Sequence, residues 1–573
     1  MTAPRSESPQ VGRRSLLKGA AALVGAGLLS EAFTLPVGAA TIAAPPSFPA
    51  GIELYQQAYE NWSGEIELAD VWTCAPASPA DILTVVNWAR AHNFRVRPKG
   101  MSHGWAPTLL PAGADVSAVI LVDLTKHLRA ITVGSGRVTV QAGATVDQLT
   151  VALENAGYGL TALTAPGNLT IGGVLAIDAH GSGVPANGET RIPGTSYGTL
   201  SNLVLSLTVV AWDAGAGAYV LKTYTRSQPQ IAAFLVHLGR AFVVSATLQV
   251  GANTRLRCQS FYDIPTATLF GAPGTSGRTI ESYLRSSGRI EAIWFPFTDR
   301  PWLKVWTVAR SKPLLSRTVN APYAYTFANF LSEEQSDFLS QVVAGNTSGT
   351  PAFQNFQISV VGSGLIVTGT WDIWGWSKNL LLYVQPTTLR IVEAGYAVLT
   401  SRANVQRVIH EFYVRYQARI TAYQAQGKFP MNGPVEIRVT GVDDPAEAGG
   451  GVSPQLSAAR PRPDHPEWNT VVWLDMGTIP GTPDSNAFYA EMEEWIVANY
   501  SGSYATVRPE WSKAWAVTPR GAWTDTAALT GRIPASLRAG QPAGDNWDTA
   551  RATLNAADPH RVFSNTFLDV LLP

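Results

Sequence analysis

The chain has little of several residue types, and each shortage argues against a class of protein. Its 573 residues include only two cysteines, Cys74 and Cys258, which excludes a disulfide-rich scaffold and leaves open whether these two pair. Charged residues make up 15% of the chain and the formal net charge is zero. A nucleic acid or an anionic surface is therefore disfavoured as a long-range partner.

Several motifs are missing as well. The mature chain has no G-x-G-x-x-G after a predicted strand and no G-x-x-x-x-G-K-[ST]. A Rossmann fold and a P-loop are therefore disfavoured, and the eight histidines show no metal-ligand spacing. The chain does have an apolar fraction of 46% and 18 tryptophans, which is typical of a well-cored protein with an apolar cavity.

Residues 1–44 are predicted to be an export signal and linker. Arg13 and Arg14 precede an apolar run over 19–29, and small residues at 37–39 offer a cleavage site. The run is too short to cross a bilayer, so we expect no integral membrane span. The paired arginines favour a twin-arginine-type signal and a secreted or extracytoplasmic protein, with an ordinary secretory signal as the alternative.

The following region alternates short helices and strands, which predicts an α+β fold with mixed sheets. Ser78, Pro79 and Asp81 are typical of a helix start, and Thr145 predicts a second helix that runs to Ala156. Strands are predicted over 94–97, 119–124, 138–143, 205–212, 219–224 and 242–250.

Two glycine-rich stretches are candidate binding loops. The first is P-K-G-M-S-H-G-W (98–105), which follows a strand and carries one histidine, His103. The second is A-P-G-N-L-T-I-G-G (165–173), continued by A-H-G-S-G (179–183). Their glycines let backbone N–H groups face an anion or a planar polar ring without obstruction. From these residues alone, a hydrogen-bonded turn histidine and an ordinary loop remain open alternatives.

The second half is predicted to contain strands over 356–361 and 380–384 and helices over 405–424 and 486–499. Aromatic residues are frequent here, and most are expected to pack in the core although together they permit a wide apolar cavity. They are Trp294, Phe295, Trp302, Trp306, Trp371, Trp374 and Trp376.

Two carboxylates in this half are candidates for proton chemistry. Glu291 lies among apolar neighbours, and burial there is expected to raise its pKa. Glu436 and Arg438 are two residues apart in an apolar strand, which places both side chains on one face. They could form a cross-sheet ion pair, or a base with a charge-stabilising partner.

The loop motifs resemble the vanillyl-alcohol-oxidase family of flavoproteins, and Y-G-T-L-S (197–201) and F-V-V-S-A-T-L (242–248) extend the match over residues 55–252. The resemblance implies a PCMH-type, two-subdomain FAD-binding domain at 45–252, a substrate-binding cap of mixed sheet and helices at 253–504, and a return to the first domain at 505–573. It implies FAD bonded covalently to His103, through a single link because residues 166–169 lack cysteine. The other cofactor contacts that it implies are Pro98, Lys99, Gly100, Met101, Ser102, Gly104, Pro166, Asn168, Thr170, Gly172, Gly173, His180, Gly181, Ser182, Gly183, Val244 and Asn565.

The segment R-P-E-W-S-K (508–513) is similar to the family's R-P-H-W-G-K. This similarity implies that Lys513 lies near the N1–C2 edge of the flavin, although Glu510 and Ser512 depart from the pattern. A solvated surface lysine is the alternative.

Within the family, E-I-R (436–438), E-A-I-W-F-P (291–296) and the Trp-rich cap resemble the bacterial cholesterol oxidases. That resemblance implies oxidation of a 3β-hydroxysterol by hydride transfer to FAD, reduction of O2 to H2O2, and isomerisation to the 4-en-3-one. Glu436 would accept the hydroxyl proton, Arg438 would stabilise the developing charge, and Glu291 is a second candidate for proton handling.

A sterol substrate would also bring the protein into transient contact with a membrane. Two alternatives remain: a sugar, alditol or aldonolactone oxidase of the same family, and a non-catalytic secreted flavin- or lipid-binding protein.

Overall fold

The computed structural model describes residues 42–329, 333–385 and 390–573, so the predicted arginine pair, apolar run and cleavage site lie outside the described residues. The amino-terminal domain begins with a four-stranded sheet in the order β1-β2-β4-β3, in which β2 and β3 run parallel to β4. Its elements are β1 (Glu53–Glu60), β2 (Glu67–Ala75), helix α1 (Pro79–Ala91), β3 (Arg95–Lys99) and β4 (Val119–Asp123).

Helix α1 forms as its sequence predicts. Ser78 and Asp81 make a reciprocal capping box, and Pro79 occupies the first turn. The apolar stripe of α1 is buried in the core and consists of Ile82, Val85, Val86 and Ala89. The helix therefore delivers the chain into β3 and the first glycine-rich loop.

The same domain has a second, antiparallel sheet in the order β5-β6-β10-β8-β9. Thr145 caps its long helix, as predicted. The elements are β5 (Ile131–Gly134), β6 (Arg137–Gln141), α2 (Val146–Asn155), β7 (Tyr158–Gly159), α3 (Ile171–Ala176), β8 (Val204–Asp213), β9 (Ala218–Thr225), α4 (Ala232–Leu235), β10 (Phe242–Gln249) and β11 (Gly251–Ala252).

The cap domain is built on a nine-stranded mixed sheet in the order β15-β16-β12-β14-β13-β18-β19-β17-β20. Its strands are β12 (Arg255–Phe261), β13 (Arg289–Trp294), β14 (Trp302–Val308), β15 (Arg317–Thr318), β16 (Asp372–Trp376), β17 (Val392–Thr400), β18 (Val435–Gly441), β19 (Thr470–Thr478) and β20 (Ala505–Pro509). Its helices are α5 (Thr266–Leu269), α6 (Ile280–Ser287), α7 (Glu333–Val343), α8 (Thr350–Thr368), α9 (Ser377–Leu381), α10 (Val405–Gln424) and α11 (Ser485–Asn499). The helices predicted over 405–424 and 486–499 are confirmed.

The two strands predicted over 356–361 and 380–384 are wrong. The first lies inside α8, where an apolar, β-branched segment is helical because tertiary packing overrides its intrinsic strand propensity. A Cβ on Gly362 would lie 2.8 Å from the Tyr262 ring, so this glycine allows the helix to pack closely. The second falls on α9 and the extended segment that follows it.

The carboxy-terminal segment beyond β20 contacts the amino-terminal domain. Strand β20 is the edge strand of the cap sheet and pairs with β17. Beyond it, the N–H of Trp105 donates to Ser512 O (2.8 Å) and that of Val96 donates to Val562 O (2.8 Å). The last helices are α12 (Ile533–Arg538), α13 (Trp547–Ala557) and α14 (Thr566–Leu571).

The fold also bears on the two cysteines and on the question of a membrane span. Cys74 and Cys258 are both buried and free, and they lie in different domains. Within the described ranges, no helix has the length and apolar character needed to cross a bilayer.

Candidate active site

A cavity lies where the loops of the amino-terminal domain face the cap sheet. Loops 97–105, 163–173 and 176–182 form one side, with residues 237–243. The other side carries charged side chains from three neighbouring regions of the cap: Glu291 on β13, Glu436 and Arg438 on β18, and Glu393 on β17. Both predicted glycine-rich loops and both predicted carboxylates therefore meet at one site.

His103 lies on the wall of this cavity and packs on Trp62, with ring centroids 3.6 Å apart and planes 19° from parallel. Its Nε2 atom and the hydroxyl of Ser102 are buried, and neither has a hydrogen-bond partner among the described residues. Burial, with the positive charges of Arg390 and Lys513, lowers the His103 pKa to about 3. The imidazole is therefore neutral.

The two glycine-rich loops approach each other closely. A Cβ on Gly100 would lie 2.3 Å from Thr170 Oγ1, so only glycine fits there, whereas a Cβ on Gly104 would meet open space. Most of the predicted cofactor contacts line the cavity: Pro98, Lys99, Gly100, Met101, Ser102, His103, Gly104, Pro166, Thr170, Gly172, Gly173, His180, Gly181 and Ser182.

Four predicted contacts are not part of the cavity wall that the described residues form: Asn168, Gly183, Val244 and Asn565. Strand alternation explains Val244, because Val243 lines the cavity while Val244 packs in a separate core. Gly183 instead donates its N–H to Val439 O (2.8 Å), which joins the second loop to β18.

Asn565 has a supporting role. Its side-chain amide donates to the carbonyl oxygens of Pro107 (3.1 Å), Thr108 (3.2 Å) and Leu109 (3.1 Å), and its Oδ1 caps α14. It therefore fixes the segment that follows the first loop. Asn168 is half-buried, and its buried Oδ1 has no hydrogen-bond partner in the described part of the chain.

Arg438 is the centre of the charged side. Its Nη2 contacts Glu436, its Nε donates to Glu291 Oε1 (2.9 Å) and its Nη1 donates to Asp475 Oδ2 (3.2 Å). Glu436 and Arg438 share one face of β18, as the spacing predicts. Burial raises the Glu436 pKa to about 7; Arg438 opposes this shift, and the negative charges of Glu393 and Glu291 add to it.

The expectation for Glu291 is wrong in sign. Burial does favour its neutral form, but Arg438 and Lys304 together outweigh burial, and the Tyr383 hydroxyl also donates to Oε2. The Glu291 pKa is therefore lowered, and the group is a carboxylate held between two cations.

Lys513 is buried, so the alternative of a solvated lysine does not hold. Its ammonium contacts Glu393, lies 3.8 Å from Asp475 Oδ2 and lies 4.3 Å from the centroid of a Trp105 ring. Although burial disfavours its charge, Asp475 and Glu393 raise the Lys513 pKa above its usual value. The site therefore has a permanent cation on this wall.

Glu510, which replaces the histidine of the family pattern, also has a partner. Its Oε1 lies 3.5 Å from Nε2 of His180, whose ring stacks on Trp473 with centroids 3.6 Å apart. Burial favours the neutral form of Glu510, but Lys513 and His180 lower its pKa to about 2.

Sequence reasoning missed several residues of the site. Asp475, Glu393 and Lys304 are single charged residues inside apolar strands, and that contrast is a signal that could have identified them. Of the seven highlighted aromatic residues in the cap, Trp306 alone lines the described cavity wall. Trp302 and Trp374 instead donate within the cap, to Ser260 Oγ (3.0 Å) and Ala309 O (2.9 Å).

Comparison with known proteins gives two matching family models. The model for the cholesterol oxidase substrate-binding domain matches residues 255–573, and a model for an FAD binding domain matches residues 72–215. The structure of a solvent-stable cholesterol oxidase is 55% identical, with a TM-score of 0.92 over 93% of this chain and 100% of that chain. Cholesterol oxidase from Brevibacterium sterolicum is 46% identical, with a TM-score of 0.91 over the same shares.

A more distant curated relative is L-gulonolactone oxidase of Scyliorhinus torazame, which is 23% identical over 48% of this chain. The chain spans about half of that relative's length, 56%.

Proposed function

The chain belongs to the cholesterol oxidase family, and from this premise we propose that its cavity oxidises the 3β-hydroxyl of a sterol with FAD as cofactor and Glu436 as the base. Family membership supports both the FAD-binding domain followed by a substrate-binding domain and the oxidase activity on a sterol alcohol. The observation that carries the residue assignment is a carboxylate with a pKa near neutrality, paired with a guanidinium on the cavity wall.

The residues present fit FAD. Ser102 and His103, which carry unpartnered buried polar atoms, line the cavity, and the open space beside Gly104 leaves room for a ligand. FAD, when bound, supplies the acceptor for the hydride and passes the electrons to O2. A neutral imidazole supports His103 as the covalent link, because one of its two ring nitrogens is unprotonated and has the lone pair that the bond requires.

Glu436 accepts the proton of the substrate hydroxyl. A base is most useful when its pKa lies near the working pH, and a pKa of about 7 meets that condition. Arg438 stabilises the negative charge that develops on the substrate oxygen. Lys513 holds a positive charge beside Trp105 of the first loop, where it favours electron uptake by the cofactor.

Glu291 is the candidate for the isomerisation. It lines the same cavity and is held as a carboxylate, which suits a group that moves a proton from C4 to C6 of the sterol. The apolar side chains near it include Trp306, Leu381 and Val384, and burying a sterol against such groups yields about 25 cal/mol per Å².

The substrate also accounts for an exposed apolar patch at the edge of the cap sheet, which we name the edge patch. Arg317 joins its two segments through a contact with Thr368 O. The patch consists of Leu314, Leu315, Ile366, Val367 and Trp371, and the exposed cations Arg310, Lys312 and Arg317 flank it. Apolar side chains beside cations suit transient contact with a lipid surface. Export by the twin-arginine-type signal is part of the same proposal.

A sugar or aldonolactone oxidase is less well supported. The lactone oxidase relative matches about half of this chain at 23% identity, whereas the cholesterol oxidases match nearly all of it at 46–55%.

Glu436→Gln tests the assignment of the base. We expect turnover of detergent-dispersed cholesterol to fall by about 10²–10⁴-fold, with the flavin still bound. The control is Glu447→Gln, which changes a half-buried carboxylate that contacts Ser196 outside the cavity wall. Near wild-type turnover in the Glu436→Gln variant would indicate that Glu436 forms only a structural ion pair with Arg438.

A further inference from the structure

Lys304 is a buried cation beside the proposed catalytic carboxylates. Its side chain is 0% exposed, and its Nζ has no hydrogen-bond partner within residues 42–329, 333–385 and 390–573. The ammonium is surrounded by four aromatic rings instead. Their centroids lie 2.8 Å (Tyr383), 4.7 Å (Tyr325), 5.1 Å (Trp306) and 5.4 Å (Trp302) from Nζ.

One carboxylate faces this aromatic cage. Glu291 and Lys304 are directly opposite in the register of β13 and β14, and Glu291 Oε2 lies 3.6 Å from the ammonium. The Tyr383 hydroxyl donates to the same oxygen, so this side chain contacts both charges. A buried ammonium is costly without such partners, because aromatic faces and one anion must replace its water.

We propose that Lys304 is a positioning residue that acts through Glu291. It keeps Glu291 ionised. The Glu291 carboxylate in turn binds Arg438 and increases the proton affinity of Glu436. This inference rests on the proposed function, in which Glu436 is the base.

The contacts explain why the effect passes through Glu291. Glu291 and Glu436 share the Arg438 guanidinium, so the charge of one reaches the other directly. Of these two carboxylates, Glu291 is the one whose oxygen lies within 4 Å of the Lys304 ammonium. The other titratable or charged groups packed around this unit are Cys258, Tyr325, Tyr383, Glu393, Asp475, Glu510 and Lys513.

The sign of the expected change follows from these contacts. Without Lys304, Arg438 and Tyr383 alone oppose the effect of burial on Glu291, so the Glu291 pKa rises and a smaller share of the group is ionised. The negative charge that raises the Glu436 pKa is then reduced. Removing a cation should therefore lower the Glu436 pKa, which is the opposite of its usual effect on a carboxyl group.

The test uses the pH profile of kcat/KM of the holoenzyme on detergent-dispersed cholesterol. In Lys304→Met we expect the acid limb to move down by about one pH unit. Glu291→Gln removes the charge directly and should move the limb in the same direction. The double variant, Glu291→Gln with Lys304→Met, should have the acid limb of Glu291→Gln alone.

Several results would overturn the inference: an acid limb in Lys304→Met that stays in place or moves up, or a further shift when Lys304→Met is added to Glu291→Gln. If Lys304→Met does not fold, the comparison of Glu291→Gln with the double variant decides, because the double variant leaves no unpaired buried charge at this contact. An unchanged acid limb in Glu436→Gln is a different failure, since it would refute the proposed function itself.

Discussion

The substitution Arg438→Met should move the acid limb of the kcat/KM pH profile to higher pH. Burial sets the Glu436 pKa at about 7 even with Arg438 in contact with it. An adjacent opposite charge lowers a carboxyl pKa by about 1–3 units, so removing Arg438 should raise the acid limb of kcat/KM to a midpoint of about 8–10. At pH 7 the fraction of Glu436 in the carboxylate form should then fall from about one half to about one tenth or less.

The loss of Arg438 also removes stabilisation of the developing charge, which costs about 10²–10³-fold in turnover above the acid limb. The assay is peroxide release from detergent-dispersed cholesterol between about pH 5 and about 10, a range that includes the wild-type midpoint and the midpoint expected for the variant. Arg438→Lys is the matched control, because it keeps the charge and should keep the limb near its wild-type midpoint. An Arg438→Met acid limb at or below the wild-type midpoint would refute the reasoning.

Further expectations concern the cofactor link and the edge patch. His103→Ala should give a colourless pellet after acid precipitation, whereas wild type should give a yellow one; a colourless wild-type pellet would contradict the covalent link. Leu314→Ser with Val367→Ser should slow turnover of cholesterol in vesicles of phosphatidylcholine and phosphatidylserine by about tenfold or more, since each apolar side chain contributes about 1.5–3 kcal/mol when fully buried and about 1.4 kcal/mol corresponds to a factor of ten. Turnover of detergent-dispersed cholesterol should not change in that variant, and Leu221→Ser, which alters an exposed apolar residue of the amino-terminal domain, should change neither. Equal losses of turnover on vesicle cholesterol and on detergent-dispersed cholesterol would show that the edge patch does not act by contacting lipid.

Local signals predicted the helix starts well, and they identified both glycine-rich loops that line the cavity. Ser78 and Thr145 cap helices because their hydroxyls accept backbone N–H groups, an interaction that depends on a few neighbouring residues. The alternation of β18 likewise placed Glu436 and Arg438 on one face. In each case the relevant partners lie close in sequence or share one strand.

The errors arose where distant segments decide the outcome. The strand predicted over 356–361 lies inside a helix, and Gly362, the next residue of that helix, packs against Tyr262, about a hundred residues earlier in the chain. The sign of the Glu291 pKa depends on Lys304 and Arg438, which reach it from two neighbouring strands. Burial could be anticipated from the apolar sequence around Glu291, but the two cations could not.

The most direct test of the central claim is an anaerobic absorbance spectrum of the purified holoenzyme on mixing with substrate. The account predicts that cholesterol bleaches the flavin absorbance, that xylitol and gulonolactone leave it unchanged, and that Glu436→Gln slows the bleaching by about 10²-fold or more. Bleaching by gulonolactone or xylitol but not by cholesterol would contradict the account.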